Sequence, residues 1–425
     1  MRRILSLLFW SVIAAAFIGP GTVTTAASAG TLYGFTLMWT LVFSTAACLI
    51  LQEASARLTI VSGSPLMASI GKTAGDLLRK PVQFFVLAAV ISGCAAFEAG
   101  NILGSTSGLS LVFPGMDSRV FTLIIVGSAV VLLASGTIKT VARILGLVVA
   151  VMGICFLFTA VQIQPSLSLL ARGTIIPSMP AGSGLVIMAL IGTTVVPYNL
   201  FLGSGIAAGQ TLRDLRFGLT GAVLLGGVIS MAILITGSAI PGAFSFENLS
   251  QTLSDKIGPW ARGLFAVGLF SAGFSSAVTA PMAAGIAVQQ TISGSVSHHS
   301  ASYRITWISV VFIGLIFGML RIQPIPAIIF AQAMNGILLP LVAFFLLICV
   351  NDPELMGDRT NNLLSNSFMF PAVFATLVLG LNSLLKAFSA WITLSTAIIW
   401  IGACVLTCTA GFAALYWIRV KRRRQ

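Results

Sequence analysis

The first part of the chain contains a long stretch without any Asp, Glu, Lys or Arg, which runs from Ile4 to Gln52. A bilayer-spanning helix needs about 20 predominantly apolar residues, so this stretch alone has room for two. Of the whole chain, 57% of residues are hydrophobic and 8% are charged, whereas about a quarter are charged in a soluble domain. We therefore expect an all-α integral membrane protein. The composition argues against a soluble enzyme, a nucleic-acid-binding protein and a secreted disulfide scaffold.

Apolar runs bounded by charged residues, proline or glycine predict about twelve transmembrane helices, numbered here as spans 1 to 12. Hydrophilic connections remain near residues 61–81, 241–258 and 351–367 and leave no room for a soluble domain, so residues 1–425 are interpreted as one polytopic membrane domain. It is divided into a first five-helix repeat over 8–163, a second over 183–350, and two additional helices over 368–418. The spans run approximately over residues 8–30, 34–60, 82–113, 119–137, 141–163, 183–210, 217–240, 259–292, 303–320, 324–350, 368–388 and 391–418.

The basic residues predict the orientation of these spans. If the N-terminus is inside, 17 Lys and Arg residues fall in inside connections or termini and six fall outside. This asymmetry favours cytoplasmic N- and C-termini in a cell (inner) membrane, with the basic tail over 419–424 at the lipid headgroups rather than on nucleic acid. Arg2, Arg3, the following apolar run and the Ala-Ser-Ala of residues 27–29 imitate a secretory signal. The Gly-Pro-Gly interruption at 19–21 favours an uncleaved first span instead.

Spans 1 and 6 are each interrupted by proline near the middle. Span 1 reads Gly-Pro-Gly-Thr over residues 19–22, and span 6 reads Val-Val-Pro-Tyr-Asn over 195–199. Non-helical backbone inside a bilayer is tolerated only where it is buried in protein or lines a cavity. Two interrupted helices at corresponding positions of two halves are typical of inverted-repeat transporters. Two proline kinks that only shape helix packing are the alternative.

Four motifs follow one another in a recognisable order and spacing along the chain. They are Ile-Gly-Pro-Gly-Thr at 18–22, Gly-Thr-Thr-Val-Val-Pro-Tyr-Asn-Leu at 192–200, Ser-Ala-Gly at 271–273 and Asn-Asp at 351–352. This series resembles the natural resistance-associated macrophage protein (NRAMP) family of divalent-metal transporters. The resemblance implies the LeuT-type fold, with two inverted five-helix repeats, and secondary active transport by alternating access.

The metal-binding positions of that family carry different residues in this chain. The family motif Asp-Pro-Gly-Asn in span 1 has a metal ligand at each end, where this chain has Gly19 and Thr22. The family motif Met-Pro-His in span 6 supplies a thioether ligand, where this chain has Val196 before the proline and Tyr198 after it. Thr193 matches a position that contributes a backbone carbonyl. The resemblance thus implies a transporter whose side-chain metal ligands are replaced, and neither a metal ligand nor a cofactor is predicted.

These replacements bear on the substrate. A divalent cation at the bilayer midplane needs a carboxylate or many oxygen donors, and a thioether favours softer transition metals. The second half-helices of spans 1 and 6 present positive dipole ends, which favour a carboxylate. We therefore expect a small organic anion or amino-acid-like zwitterion, with a divalent metal cation (Mn²⁺, Fe²⁺ or Mg²⁺) as the alternative. In span 10, one family glutamine is retained as Gln332. The predicted substrate-binding residues are Gly19, Gly21, Thr22, Thr193, Val196, Tyr198 and Asn199.

Two acidic residues lie within predicted spans. Glu98 is well inside span 3, and a carboxylate in the membrane is a functional candidate. The family has an acid here on its proton route, so the resemblance implies proton coupling, although a second family acid is replaced by Asn101. A neutral Glu98 bonded to a neighbouring helix is the alternative. Glu53 is predicted to pair with Arg57 one helical turn later, with an inner gate as the alternative.

The predicted partners are a small solute, protons and the lipid bilayer. An enzyme is not expected, because the sequence contains no recognisable nucleophile–base pair or metal-ligand cluster. A channel or a non-transporting receptor on the same fold stays open as a different functional class. The oligomeric state is undetermined.

Overall fold

The computed structural model describes residues 18–135, 138–207, 209–292, 300–388 and 396–423. All regular secondary structure within these ranges is helical. The helices of the first half are α1 (Pro20–Tyr33), α2 (Met38–Ser62), α3 (Leu66–Thr73), α4 (Gly75–Val112), α5 (Ser118–Ser135), α6 (Ile138–Gln162) and α7 (Leu167–Ile175). Those of the second half are α8 (Gly184–Thr194), α9 (Pro197–Ala207), α10 (Leu212–Ser238), α11 (Phe246–Ile257), α12 (Trp260–Ile292), α13 (Ala301–Met319), α14 (Pro324–Val350), α15 (Pro353–Met356), a 3-10 turn (Gly357–Arg359), α16 (Leu363–Phe388) and α17 (Thr396–Arg423).

Eleven helical segments within the described ranges are long and apolar enough to cross a bilayer, with α8 and α9 together forming one of them. They correspond to spans 2 to 12, so the predicted polytopic all-α architecture is confirmed. α1 is the described part of span 1, and the part of that span before residue 18 lies outside the described residues. The side chains of the predicted basic tail also lie outside them.

The three connections predicted to be hydrophilic are largely helical, a feature that the sequence analysis did not predict. α3 and the start of α4 lie within 61–81, α11 lies within 241–258, and α15 lies within 351–367. In α11, the Ser245 hydroxyl caps the helix by accepting a hydrogen bond from the Asn248 N–H (3.0 Å), and Leu249 and Leu253 are buried on one face. Such amphipathic helices escape a search for continuous apolar runs because half of their residues are polar.

The spans form two groups of helices. α1, α2, α8, α9 and α10 form one group through the contacts of α10 with α1 and α2 and of α2 with α8 and α9, although α8 packs most extensively on α14. α4, α5, α6, α12 and α13 form a second group around the contact between α4 and α12. α14 packs against α8 in the first group, α4 in the second, and α16. The two interrupted spans therefore belong to the same group, and α14 joins the two groups. This pairing is compatible with the predicted repeats over 8–163 and 183–350, which stay a prediction.

Glycine permits the closest of these contacts, between α8 and α14. A side chain on Gly192 would collide with the backbone of Gln332, and one on Gly336 would collide with the Met188 carbonyl. Small residues of this kind let helix backbones approach in a membrane, where packing replaces the hydrophobic effect as the driving force. The contact holds the last turns of α8, just before the break in span 6, against the middle of α14.

Candidate functional site

The break in span 6 comprises two residues, Val195 and Val196, between α8 and α9. The Val195 N–H still donates to the Ile191 carbonyl (2.8 Å), which completes α8, and the Val196 carbonyl accepts from the Asn199 N–H (3.1 Å). Pro197 has no N–H and begins α9 at the position where a helix tolerates proline best. The interruption is thus confirmed, although Pro197, Tyr198 and Asn199 are helical rather than part of the break.

Of the predicted break in span 1, the structure describes Ile18 and Gly19, and the residues before them lie outside the described ranges. Gly19 is extended (φ −89°, ψ 175°) and precedes the first helical residue of α1, Pro20. The Gly19 carbonyl accepts the first helical hydrogen bond, from the Val23 N–H (3.2 Å). Both half-helices that follow a break therefore begin with proline. All residues from Ile18 to Thr22 are buried, so the start of α1 lies inside the protein rather than against lipid.

Two threonine hydroxyls join the breaks. The Thr22 and Thr193 side-chain oxygens lie 2.9 Å apart and share a hydrogen bond, and both residues are almost fully buried. One belongs to the first turn of α1 and the other to the last turn of α8. The structure therefore brings together two of the predicted site residues that are 171 positions apart in sequence.

Tyr198 points from the start of α9 toward α4. Its ring meets Phe97 edge to face, with the centroids 5.3 Å apart, and its buried hydroxyl lacks a hydrogen-bond partner among the described residues. The side-chain oxygen of Asn199 is also buried and unpaired within that part of the chain. Val196 contributes a buried methyl surface. All seven predicted site residues are thus buried at or beside the two breaks.

Three further polar side chains were absent from the predicted site, and two of them, Ser276 and Gln332, contact the break residues, whereas Asn335 lies next to Gly93 of α4. The Ser276 hydroxyl of α12 lies next to Gly19, and the Gln332 amide of α14 covers Gly21 so closely that any larger residue there would collide with it. Asn335 follows Gln332 one turn along α14. Ser276 Oγ, Gln332 Oε1 and Asn335 Oδ1 are all buried without hydrogen-bond partners in the described chain. Polar residues inside an apolar run are the sequence signal that could have identified them.

The donors around the breaks are neutral oxygens, from hydroxyl, amide and main-chain carbonyl groups. Within the described residues, no group of three or more His, Cys, Asp and Glu side chains is placed to hold a metal ion. Cations are attracted here by carbonyl oxygens at the end of α8, whereas anions are attracted by the beginnings of α1 and α9. Buried polar atoms without partners are costly in a membrane, so the side-chain oxygens of Tyr198, Asn199, Ser276 and Gln332 mark this cluster as the candidate site.

Glu98 is completely buried in α4 and lies apart from the breaks. Its Cγ packs against Gly314 of α13, on the side of α4 that faces the second helix group. Neither carboxylate oxygen makes a hydrogen bond of normal geometry to a described residue, and the Asn101 amide one turn along is its polar neighbour. Its link to the breaks runs through the preceding residue, Phe97, which contacts Tyr198.

Comparison with known proteins identifies the family that most of the chain matches. Residues 11–386 match the family described as natural resistance-associated macrophage protein-like. The divalent metal cation transporter MntH of Verminephrobacter eiseniae (strain EF01-2) is 27% identical over 401 residues, which cover 88% of this chain and 87% of that one. MntH of Yersinia pestis (strain Pestoides F) is 26% identical over 407 residues, with coverage of 91% and 96%.

Solved structures show the same fold. A mutant of the manganese transporter from Eremococcus coleocola superimposes with a TM-score of 0.75 at 18% identity, covering 98% of this chain and 95% of that one. Mhp1, a transporter of the nucleobase-cation-symport-1 family, superimposes with a TM-score of 0.58 at 16% identity, with coverage of 97% and 92%. The expected LeuT-type fold is thereby confirmed. The chain belongs to the natural resistance-associated macrophage protein family and is a membrane transporter.

Proposed function

We propose that this protein is a secondary active transporter of a hard metal cation, such as Mg²⁺, which it binds through neutral oxygen atoms at the two helix breaks. The relatives that align over about nine tenths of the chain are named divalent metal cation transporters, which favours a cation over the organic solute expected from sequence. The observation that carries the proposal is the set of buried side-chain oxygens beside the breaks. Those of Thr22 and Thr193 bond to each other, and those of Tyr198, Ser276 and Gln332 have no partner in the described residues.

The donor set indicates which cations fit. Oxygen ligands suit Mg²⁺ and Ca²⁺, whereas thioether and imidazole ligands suit transition metals. Val196 and Tyr198 stand where the family has a sulfur and an imidazole, so the site has lost the ligands that favour Mn²⁺ and Fe²⁺. Because Mg²⁺ dehydrates reluctantly and usually retains several waters, hydroxyl and amide oxygens would serve it as hydrogen-bonding partners of its water shell.

The breaks also provide a route for alternating access. In the described state, Thr22 and Thr193 are bonded across the site, and the surrounding residues are buried. A cation that enters between α1 and α8 would replace this hydroxyl–hydroxyl contact by contacts with its own water shell. The half-helices can then move about the non-helical residues on either side, as interrupted helices allow.

Glu98 is the proposed proton-coupling residue. It is a fully buried carboxyl group without a cationic partner in the described part of the chain, and Phe97 connects it to Tyr198 at the start of α9. A buried carboxyl group is much cheaper to retain in its protonated form. Proton exchange at Glu98 would therefore accompany a change in its surroundings, which is the requirement for coupling. We further propose a cell-membrane location with both termini cytoplasmic.

An organic zwitterion is the second candidate substrate. It is favoured by the two proline-initiated half-helices, α1 and α9, which begin at the breaks and attract a carboxylate. The carbonyl end of α8 would receive an ammonium group at the same site. None of the break residues named above is acidic, which is compatible with this cargo.

Uptake into proteoliposomes decides between these candidates. We expect saturable uptake of Mg²⁺ under an inward proton gradient, inhibited less than tenfold by equimolar Mn²⁺, with empty liposomes as the control. Saturable uptake of labelled amino acids or small carboxylates, with none of Mg²⁺ or Mn²⁺, would overturn the cation proposal in favour of the second candidate. Conductance that does not saturate would indicate a channel.

A further inference from the structure

Arg57, near the C-terminal end of α2, is a buried cation in a connected network of polar groups; this is the inner end of α2 in the proposed orientation. Its side chain is 8% exposed, and all three guanidinium nitrogens donate hydrogen bonds. Nε donates to the Glu53 carboxylate (3.1 Å), one terminal nitrogen to the Arg359 carbonyl (2.9 Å), and the other to Asn361 Oδ1 (2.6 Å). The predicted Glu53–Arg57 pair is thus confirmed, and it is one part of a larger arrangement.

The bonds of this network divide into two kinds. Glu53 lies on the same helix as Arg57 and also accepts from Arg216 at the start of α10 (2.8 Å). Because α2 and α10 belong to the same helix group, these bonds persist when that group moves as a body. Arg359 and Asn361 lie instead in the connection from α14 to α16, so a movement of α2 relative to this connection must break them.

The connection itself is firmly attached to α14 and α16. The Asn361 N–H donates to the Val350 carbonyl at the end of α14 (3.1 Å), and its amide donates to Asn366 Oδ1 in α16 (2.9 Å). Asn366 and Asn351 then exchange two amide hydrogen bonds (2.8 and 3.0 Å). Arg57 therefore holds α2 to a rigid assembly outside its own group.

α2 is in turn attached to α9, the half-helix that follows the break in span 6. The Ser55 hydroxyl donates to the Leu200 carbonyl (2.7 Å), and the Thr59 and Ser204 hydroxyls share a hydrogen bond (2.7 Å). Ser55 and Thr59 lie on either side of Arg57 along α2. A bond that restrains the inner end of α2 thus also restrains the inner half of span 6.

We propose that Arg57 is a positioning residue for transport, which keeps the inner side of the site closed through its bonds to Arg359 and Asn361. When the inner side opens, these two bonds break and Glu53 continues to neutralise the guanidinium. A charge that is paired in both states makes such a contact reversible, because opening never leaves an uncompensated charge in the protein interior. This inference depends on the proposed function only in that the site must open alternately to the two sides.

Hydrogen exchange of the full-length protein in nanodiscs tests this role without any substrate. In Arg57→Gln and in Asn361→Ala, exchange over residues 197–207 and the inner end of α2 should rise by about fivefold to tenfold, the change expected from losing one net hydrogen bond. Exchange over α5 and α13, in the other helix group, should stay unchanged. Glu53→Gln retains the bonds to Arg359 and Asn361, so its effect on 197–207 should be smaller than that of Asn361→Ala.

Arg321→Gln is the matched control, since Arg321 pairs with Asp117 at a different, exposed position. It should leave exchange over 197–207 at the wild-type level. A merely structural role would instead produce a uniform rise in all helices, or a larger effect for Glu53→Gln than for Asn361→Ala, and either result would overturn the proposal. A failure of Mg²⁺ uptake would refute the proposed cargo but would not alter these exchange results.

Discussion

The two helix breaks and the inner end of α2 both bury polar groups, but they satisfy them differently. At the breaks, the side-chain oxygens of Ser276 and Gln332 lack hydrogen-bond partners within the described chain. Around Arg57, each guanidinium nitrogen has an acceptor. Since a membrane interior offers no water as a substitute partner, the first arrangement indicates a site that is completed by a ligand. The second indicates a contact between moving parts.

The largest expected difference between the regions is in stability. Arg57→Ala leaves Glu53 with Arg216 alone and should lower the free energy of unfolding by roughly 3 kcal/mol, at the lower end of the range for breaking a buried pair. Ser276→Ala, which removes a hydroxyl without partners in the described residues, should leave it nearly unchanged. Denaturant unfolding in detergent measures both, and equal losses would refute the distinction between the regions.

The break cluster should become a transition-metal site if the family ligands are restored. Gly19→Asp, Thr22→Asn and Val196→Met together should raise Mn²⁺ affinity on the order of a hundredfold, since a carboxylate beside a divalent cation in a low-dielectric site contributes several kcal/mol. A Cβ at Gly19 would meet Ser276 Oγ at 3.5 Å and the Gly21 nitrogen at 4.0 Å, both ordinary contact distances. Titration calorimetry compares this variant with the same triple change carrying Gly19→Asn. No gain over that uncharged control would mean that the site is misplaced.

Glu98→Gln should separate coupling from stability. The variant keeps the shape of the side chain but cannot release a proton, so a proton gradient should no longer accelerate uptake of the cation, while thermal stability should hardly change because the carboxylate has no ion-pair partner in the described residues. Uptake with and without the gradient is the measurement. Asp117→Asn, which removes an exposed carboxylate away from the site, is the control and should retain its response to the gradient; an unaltered response in Glu98→Gln would disprove the coupling role.

Neighbouring threonines of α8 offer a finer test. Thr193 shares its hydrogen bond with Thr22 across the site, whereas Thr194, equally buried, donates to the Leu190 carbonyl of its own helix (2.8 Å). Thr193→Val should therefore weaken the apparent affinity for the cation by about fivefold, near the value of one hydrogen bond. Thr194→Val should weaken it by less. Concentration-dependent uptake gives both values. The reverse order would place the cargo elsewhere.

The smallest effect is expected at the exposed Asp117–Arg321 pair. The Arg119 backbone N–H, with a further contribution from Arg321, lowers the pKa of Asp117 below its ordinary value. A lowered pKa in the folded state gives stability that is present above the ordinary pKa and disappears as the pH falls through the lowered one. Thermal unfolding as a function of pH should show a slight loss of stability in that acidic range. In Asp117→Asn this pH-dependent loss should be absent. A difference between the two proteins that persists at still lower pH would contradict this assignment.

Much of the fold could be predicted from the sequence because apolar runs of bilayer length carry a strong signal. The position of the break in span 6 was also accessible, since Pro197 lies near the middle of that apolar run. The helices α3 and α11 were missed because their apolar faces are discontinuous in sequence. The predictions are most accurate where one local property determines the structure.

The candidate site was only partly predictable. Gly19, Thr22 and Thr193 were found through motifs, but Ser276 reaches Gly19 through the packing of α12, which no local pattern specifies. Likewise, the Glu53–Arg57 pair follows from helical spacing, whereas the bonds of Arg57 to residues 359 and 361 join positions about 300 residues apart. The prediction of an organic substrate rested on the replacement of the family's metal ligands. The names of the relatives favour a cation instead.

The most direct test of the oxygen-lined cation site is a paired calorimetric titration of the purified protein with Mg²⁺ and Mn²⁺. We expect both ions to bind, with affinities within about tenfold of each other, because a site without sulfur, imidazole or carboxylate ligands has little means of discriminating between them. The Thr22→Val/Thr193→Val double variant should weaken both equally. A preference for Mn²⁺ of a hundredfold or more, or binding that is indifferent to these two threonines, would contradict the account.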